Sequence, residues 1–176
     1  MNYNQNFNLY STINQLNITS KLKKYLKPNK TKPIVLCIGS DRVLGDTLGP
    51  LVGTLLKEKY KIPTYVYGSL NSTITAKEIP FTTSYLKTLH PKTKIIAVDA
   101  CVGSLEDIGK IKIKKEGLYP GLGVGKNLPK TGDVSILGIL LNKNNSSFLT
   151  SSKLSLSYNM ANIIANSISN FFSSCY

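Results

Sequence analysis

Pro33-Ile-Val-Leu-Cys-Ile-Gly-Ser-Asp-Arg-Val-Leu-Gly-Asp-Thr-Leu-Gly-Pro50 reads as a buried strand, a glycine-spaced turn and the opening of a helix. The unbroken apolar run from Ile34 to Ile38, bounded by Pro33 and Gly39, suits a strand covered on both faces. A helix is predicted from about Leu48 to Tyr60, because a proline in the first helical turn, here Pro50, forfeits no hydrogen bond. A strand that feeds straight into a helix is half of a βαβ unit.

The same alternation continues outward from this stretch. Thr64 to Tyr67 reads as a second strand, and Ala76 to His90 as a helix with Thr75 and Glu78 as a capping box, its start delayed or kinked by Pro80. Ile95 to Val98 is a further strand. Ile108 to Lys114 alternates Ile with Gly or Lys, as a half-exposed strand does, and Val134 to Leu141 is apolar enough for a buried one. From near Ser152, the residues Leu156, Met160, Ile163, Ile164, Ile168, Phe171 and Phe172 fall on one helical face. The expected fold class is therefore α/β: a three-layer α/β/α arrangement around a mainly parallel, twisted sheet. Residues 1–32 are read as a polar N-terminal arm with a helix from Ser11 to Leu26, appended to a single α/β domain over 33–176.

Bulk properties agree with one globular domain. A chain of 176 residues can bury roughly 70% of its unfolded surface without staples. Hydrophobic residues make up 41% and mean hydropathy is -0.04, with no run near the roughly 20 apolar residues that span a bilayer. The start, Met1-Asn-Tyr-Asn-Gln-Asn-Phe-Asn-Leu-Tyr10, lacks a basic segment followed by an apolar one, so a cytoplasmic location and no membrane association are expected. Cys37, Cys101 and Cys175 are odd in number and lack metal-type spacing, so they read as reduced thiols.

Net charge is +13, which favours acidic partners. All but one of the 22 basic residues are Lys, and Asn and Ile are abundant too, a bias that AT-rich coding produces without selection for binding. The lysines are also spread along the chain, which argues for a solvated surface and against nucleic acid as partner.

Only nine residues are Asp or Glu, so acids at strand ends stand out. Asp46 follows the first strand, and Asp99 follows Ile95 to Val98. Ligands of open α/β sheets collect outside the carboxyl ends of strands, so the two are candidates for one site. The plainer alternatives are that Asp46 or Thr47 caps a helix and that Asp99 organises a turn. If the two strands are neighbours, their ends lie about 4.8 Å apart. Two carboxylates at 4 Å repel by about 4 kcal/mol at an effective dielectric near 20, which is roughly three pKa units across the pair. One acid then keeps its proton, and a carboxylate base beside a carboxylic acid can hydrolyse an amide.

Other residues are weighed on the same terms. Arg42, the only arginine, either orients a carboxylate or substrate carbonyl, or pairs with Asp41 on the surface. Cys101 is a conceivable nucleophile, but nothing marks a base for it. His90 reads as a helix-end residue. Tyr119-Pro-Gly-Leu-Gly-Val-Gly-Lys-Asn-Leu-Pro-Lys-Thr-Gly132 is no phosphate loop, since Pro120 stands where the first Gly should be and Asn127 where Ser or Thr should be. With one His and no Cys cluster, neither a metal nor another cofactor is expected.

Taken together, Cys37 to Gly53, Ile96-Ala-Val-Asp-Ala-Cys101, and Pro120 to Pro129 with Gly132-Asp133 resemble the YyaC-type sporulation proteins of endospore-forming bacteria. That family is similar to the germination protease, which degrades small acid-soluble spore proteins, and more distantly to hydrogenase-maturing endopeptidases. The resemblance implies a phosphorylase/hydrolase-like fold, a sporulating cell or forespore as the setting, and a spore protein or peptide as substrate. In the germination protease two aspartates after corresponding strands are thought to carry catalysis, and they match Asp46 and Asp99. In the hydrogenase endopeptidases two acids and a His hold nickel, and this chain has no His after His90. On this reading Asp46 and Asp99 are catalytic, while Arg42, Gly45, Gly49, Gly121, Gly123 and Gly125 bind substrate. The alternative is a catalytically silent peptide- or metal-binding protein on the same fold. The sequence leaves the oligomeric state open, a homo-oligomer included.

Overall fold

Strand β1 (Ile34–Cys37) is buried along its whole length. Because strand side chains alternate, Val35 and Cys37 enter one apolar cluster while Ile34 and Leu36 enter another on the opposite face. A computed structural model describes residues 16–28, 30–120, 128–142 and 154–176. Among these, β1 is joined by β2 (Val66–Tyr67), β3 (Ile95–Gly103), β4 (Ile111–Lys114) and β5 (Val134–Asn142) in the order β2-β1-β3-β5-β4. β1 runs parallel to β2 and β3, and β3 parallel to β5; β4 is an antiparallel edge. The sheet is mainly parallel, as expected.

Helices cover both faces. A helix over residues 16–26 (α1), α2 (Leu48–Thr54, extended by a π-helical turn over Leu55–Lys59) and α4 (Leu154–Cys175) pack on the face of Val35 and Ile96. The other face receives α3 (Ile79–Leu89) through Ile79 and Leu86. The stripe read from Met160 to Phe172 is core, with Ile164, Ile168 and Phe171 fully buried. Its expected start near Ser152 lies outside the described residues.

Several expectations need correction. α1 is no appendage: Ile18, Leu22 and Leu26 are buried in the core, and the Thr19 hydroxyl donates to the Ser167 carbonyl of α4 at 3.0 Å. The apolar residues of this segment, Ile13, Leu16, Ile18, Leu22, Tyr25 and Leu26, are too loosely spaced among Asn, Lys and Thr to announce burial. α3 begins at Ile79, because Pro80 fits only its first turn; Thr75 still donates from its backbone and hydroxyl to the Glu78 carboxylate, in a turn ahead of the helix. β2 is two residues long, not four. β4 starts at Ile111, since a turn ending on Gly109 (φ +87) takes up Ile108.

The most consequential difference concerns β3. It continues four residues past Asp99, because β5 pairs with it from Ile96 through Gly103, with an irregularity at Cys101/Val102. β1 stops sooner: Cys37 pairs with Val98, and the Ile38 amide donates to the Val98 carbonyl at 2.8 Å. Asp99 therefore sits inside β3 but beyond the carboxyl end of β1. The chain leaves β1 for β2 on one side and returns to β3 on the other, so this is also where the strand order reverses. Crevices at such points are where open α/β sheets take ligands.

Candidate active site

Asp46 reaches this crevice through a tight loop. After Ile38 the backbone turns at Gly39 (φ +143), the Ser40 amide donates to the Asp46 carbonyl at 3.0 Å, and Leu44–Asp46 forms a single 3₁₀ turn. A Cβ on Gly39 would lie 2.1 Å from the Asp46 carbonyl oxygen, so only glycine lets the loop fold back over the end of β1. Gly45 is buried in the same turn, and Gly49 is buried where α2 crosses β1: a Cβ there would lie 1.9 Å from the Ile38 carbonyl oxygen. Thr47 is the N-cap of α2 but makes no side-chain capping bond, its hydroxyl donating back to the Leu44 carbonyl at 2.9 Å.

Asp99 is 7% exposed, and its Oδ1 accepts the Ala100 amide at 2.8 Å. Burial pushes its pKa well above the usual carboxylate range, the negative charge of Asp46 pushes it further, and the Ala100 amide offsets part of this. Asp46 is half-buried, and burial raises its pKa to about 6, against a smaller opposing pull from the Ser40 amide. Asp99 feels the charge of Asp46 and, being the more buried, holds its proton more firmly.

The remaining candidates divide. Arg42 is exposed in the loop, its amide donating to the Ser40 hydroxyl at 3.1 Å, and among the described residues no ion pair joins it to Asp41. Burial, then the charge of Asp99, pushes the Cys101 thiol up to about 11, which suppresses the thiolate a nucleophile needs. His90 lies at the far end of α3, with Nε2 2.6 Å from the Tyr67 hydroxyl. Gly121, Gly123 and Gly125 lie outside the described residues. The stems of that loop are anchored by reciprocal bonds of 2.9 and 2.8 Å between Leu118 and Thr131, and Leu118 packs with Ala97 on the α3 face of the sheet. Among the described residues no group of three or more His, Cys, Asp or Glu is gathered to hold a metal.

Sequence reading missed the backbone's part in the site. Gly68 (φ +87), directly after β2, comes so close that a Cβ would lie 1.9 Å from the Cys37 carbonyl oxygen, and the Gly39 amide donates to the Ile74 carbonyl at 2.9 Å. These contacts fold the β2 exit over the end of β1. A glycine next to a strand end was the available signal.

Residues 6–167 match a family model described as a protein of unknown function, DUF1256. The chain belongs to this family. It is 40% identical over 158 residues to the uncharacterized protein YyaC of Bacillus subtilis (strain 168), a match covering 86% of this chain and 76% of that protein. Among solved structures it is similar to the hydrogenase maturating endopeptidase HybD from E. coli, with 15% identity, a TM-score of 0.50 and coverage of 78% of this chain and 90% of that one. It is also similar to the [NiFe] hydrogenase maturation protease HycI from Thermococcus kodakarensis KOD1, at 20% identity and a TM-score of 0.44 over 78% of this chain and 92% of that one. At 15% identity the likeness to the E. coli protein is one of fold. Among the described residues no helix is long and apolar enough to cross a membrane.

Proposed function

We propose that this family member is an endopeptidase in which Asp46 and Asp99 form an acid-base dyad, acting on a spore protein during sporulation or germination. The observation that carries the reading is the placement of two carboxyl groups with raised pKa values at the reversal of strand order between β1 and β3. The E. coli neighbour is an endopeptidase built on the same scaffold, so the fold is compatible with peptide hydrolysis. The spore setting rests on the resemblance of the motifs around Asp46 and Asp99 to YyaC-type and germination proteases.

The roles follow from burial. Asp46, half-buried and ionised above about pH 6, takes a proton from water, and the water oxygen bonds to the scissile carbonyl carbon. Asp99, buried and protonated, donates to the carbonyl oxygen as it gains charge. The C–N bond then breaks as Asp46 returns its proton to the leaving nitrogen, giving a carboxyl and an amine end. Arg42, exposed in the loop after β1, holds a substrate carbonyl, and Gly45 lets the backbone of that loop approach the peptide. Gly49 keeps the base in register by holding α2 against β1.

Cleavage of small acid-soluble spore proteins, or of a peptide library, by wild type, Asp46→Asn and Asp99→Asn tests this. Asp46→Asn should lose at least 100-fold in kcat/KM, in line with the 10²–10⁴-fold contribution of general acid-base groups. Asp99→Asn, whose amide still donates, should lose less. Undiminished cleavage by both folded variants would reject the dyad.

A further inference from the structure

Acidic side chains gather at the carboxyl end of the sheet and lysines at its amino end. At the carboxyl end stand Asp41, Asp46, Asp99, Glu106 and Asp107. At the amino end every strand meets a lysine: Lys61 precedes β2, Lys32 precedes β1, Lys92 precedes β3, Lys130 precedes β5, and Lys115 follows the antiparallel β4. Lys130 is paired with Glu116 at 2.6 Å and Asp133 accepts the Ile95 amide, so Lys61, Lys32, Lys92 and Lys115 supply the charge of this rim. Lys61, Lys92, Lys115 and Lys130 are exposed and Lys32 is half-exposed. With strands about 4.8 Å apart, five of them spread this row over roughly 19 Å. The lysines are scattered in sequence only because each precedes or follows a different strand.

Aromatic rings are interleaved with this row. Lys32 Nζ lies 5.9 Å from the centre of the Tyr176 ring, and Lys130 Nζ lies 5.8 Å from that of Tyr119. Tyr65, two residues before Tyr67 at the start of β2, is 65% exposed and leans on His90 with ring centres 4.9 Å apart. A shallow depression between Pro33, Lys92, Lys94 and Tyr176 lies in the middle of the row. Regularly spaced cations with exposed aromatic faces are what single-stranded nucleic acid requires: ammonium groups for the phosphates and π-faces for unstacked bases. An acidic protein would use the cations but not the rings.

We infer that the amino-end rim of the sheet is a binding surface for single-stranded nucleic acid, on the pole opposite the carboxylate pair. Binding there leaves the crevice at Asp46 and Asp99 free.

The test titrates the full chain against a fluorescein-labelled 20-nucleotide oligo-dT. If about four phosphates are neutralised, the salt slope for a single strand is about -2.8, so affinity should fall roughly 50-fold between 50 and 200 mM salt. The rim triple variant Lys32→Glu/Lys92→Glu/Lys115→Glu should abolish binding. The control triple Lys77→Glu/Lys110→Glu/Lys112→Glu, of equal net charge but on exposed positions ahead of α3 and around the start of β4, should keep most of it. Tyr65→Ala should weaken binding about tenfold and Tyr65→Phe should restore it. Thermal melting of each variant checks folding. No binding by wild type at 50 mM salt, or equal loss in both triples, overturns the inference. Tighter binding to phosphatidylserine vesicles than to the oligonucleotide also overturns it, in favour of a membrane surface.

Discussion

Asp99 is an unfavourable place for a charge, and that gives the pair a pH signature in stability as well as in rate. The folded-state pKa values of Asp46, about 6, and of Asp99 lie above the unfolded value near 3.9, so the folded chain binds the extra protons. The stability they contribute is complete below about pH 4 and is lost as pH rises through about 6 and beyond, toward the higher pKa of Asp99. Asp99→Asn removes the titrating group while keeping its size. It should therefore unfold at higher urea than wild type at pH 8, with the difference closing near pH 4. Equal midpoints at pH 8 would mean that Asp99 ionises without strain. On the activity side, kcat/KM should rise through about pH 6 as Asp46 loses its proton and fall at higher pH as Asp99 follows. The alkaline limb should vanish in Asp99→Asn.

At the scale of elements, the site depends on how closely α2 and the loop before it approach β1. Gly49→Ala would drive a methyl into the Ile38 carbonyl at 1.9 Å, backbone against backbone, with no flexible side chain to yield. Overpacking of this kind costs about 1–3 kcal/mol, and here the shift falls on the segment that carries Asp46. Urea denaturation should show that loss, and kcat should drop with it, whereas Gly109→Ala, where the nearest atom is 3.7 Å away, should lower stability through its positive φ and leave kcat unchanged. The strand-turn-helix at Pro33–Pro50 was legible because apolar continuity, glycine and proline all pointed the same way. The length of β3 was not legible, since what carries it past Asp99 is pairing with β5, some 40 residues later in the chain. The adjacency of β1 and β3 was likewise a condition the sequence could state but not decide. Asp46 and Asp99 were singled out from their types and positions and the pair remains a proposal, while the glycine contacts that hold the loop in place depend on distances no local pattern contains.

For the whole molecule, the question is how much of the chain the core needs. Residue patterning put α1 outside it, because residues 1–32 are rich in Asn and Lys, and evenly scattered lysines likewise hid the row they form at the amino end of the sheet. In the fold, Leu22 is fully buried, in the same cluster as Ile164, Ile168 and Phe171 of α4, and Leu26 accepts the Lys94 ammonium on its carbonyl at 3.1 Å. α1 thus bridges the last helix and the approach to β3. If it is structural, Leu22→Ala leaves a cavity between α1 and α4 and should destabilise the chain by about 2–5 kcal/mol, a large share of the roughly 5–15 kcal/mol that holds a domain together. If α1 were an appendage, the same change would cost under about 1 kcal/mol, as surface substitutions do. The urea midpoint separates the two, provided the denaturant slope is unchanged, since a lower slope would report early detachment of α1 rather than a weaker core. Asp46 and Asp99 lie at the other end of the sheet from Leu26 and Lys94, so the pH dependence of the surviving activity should match wild type even as the midpoint falls.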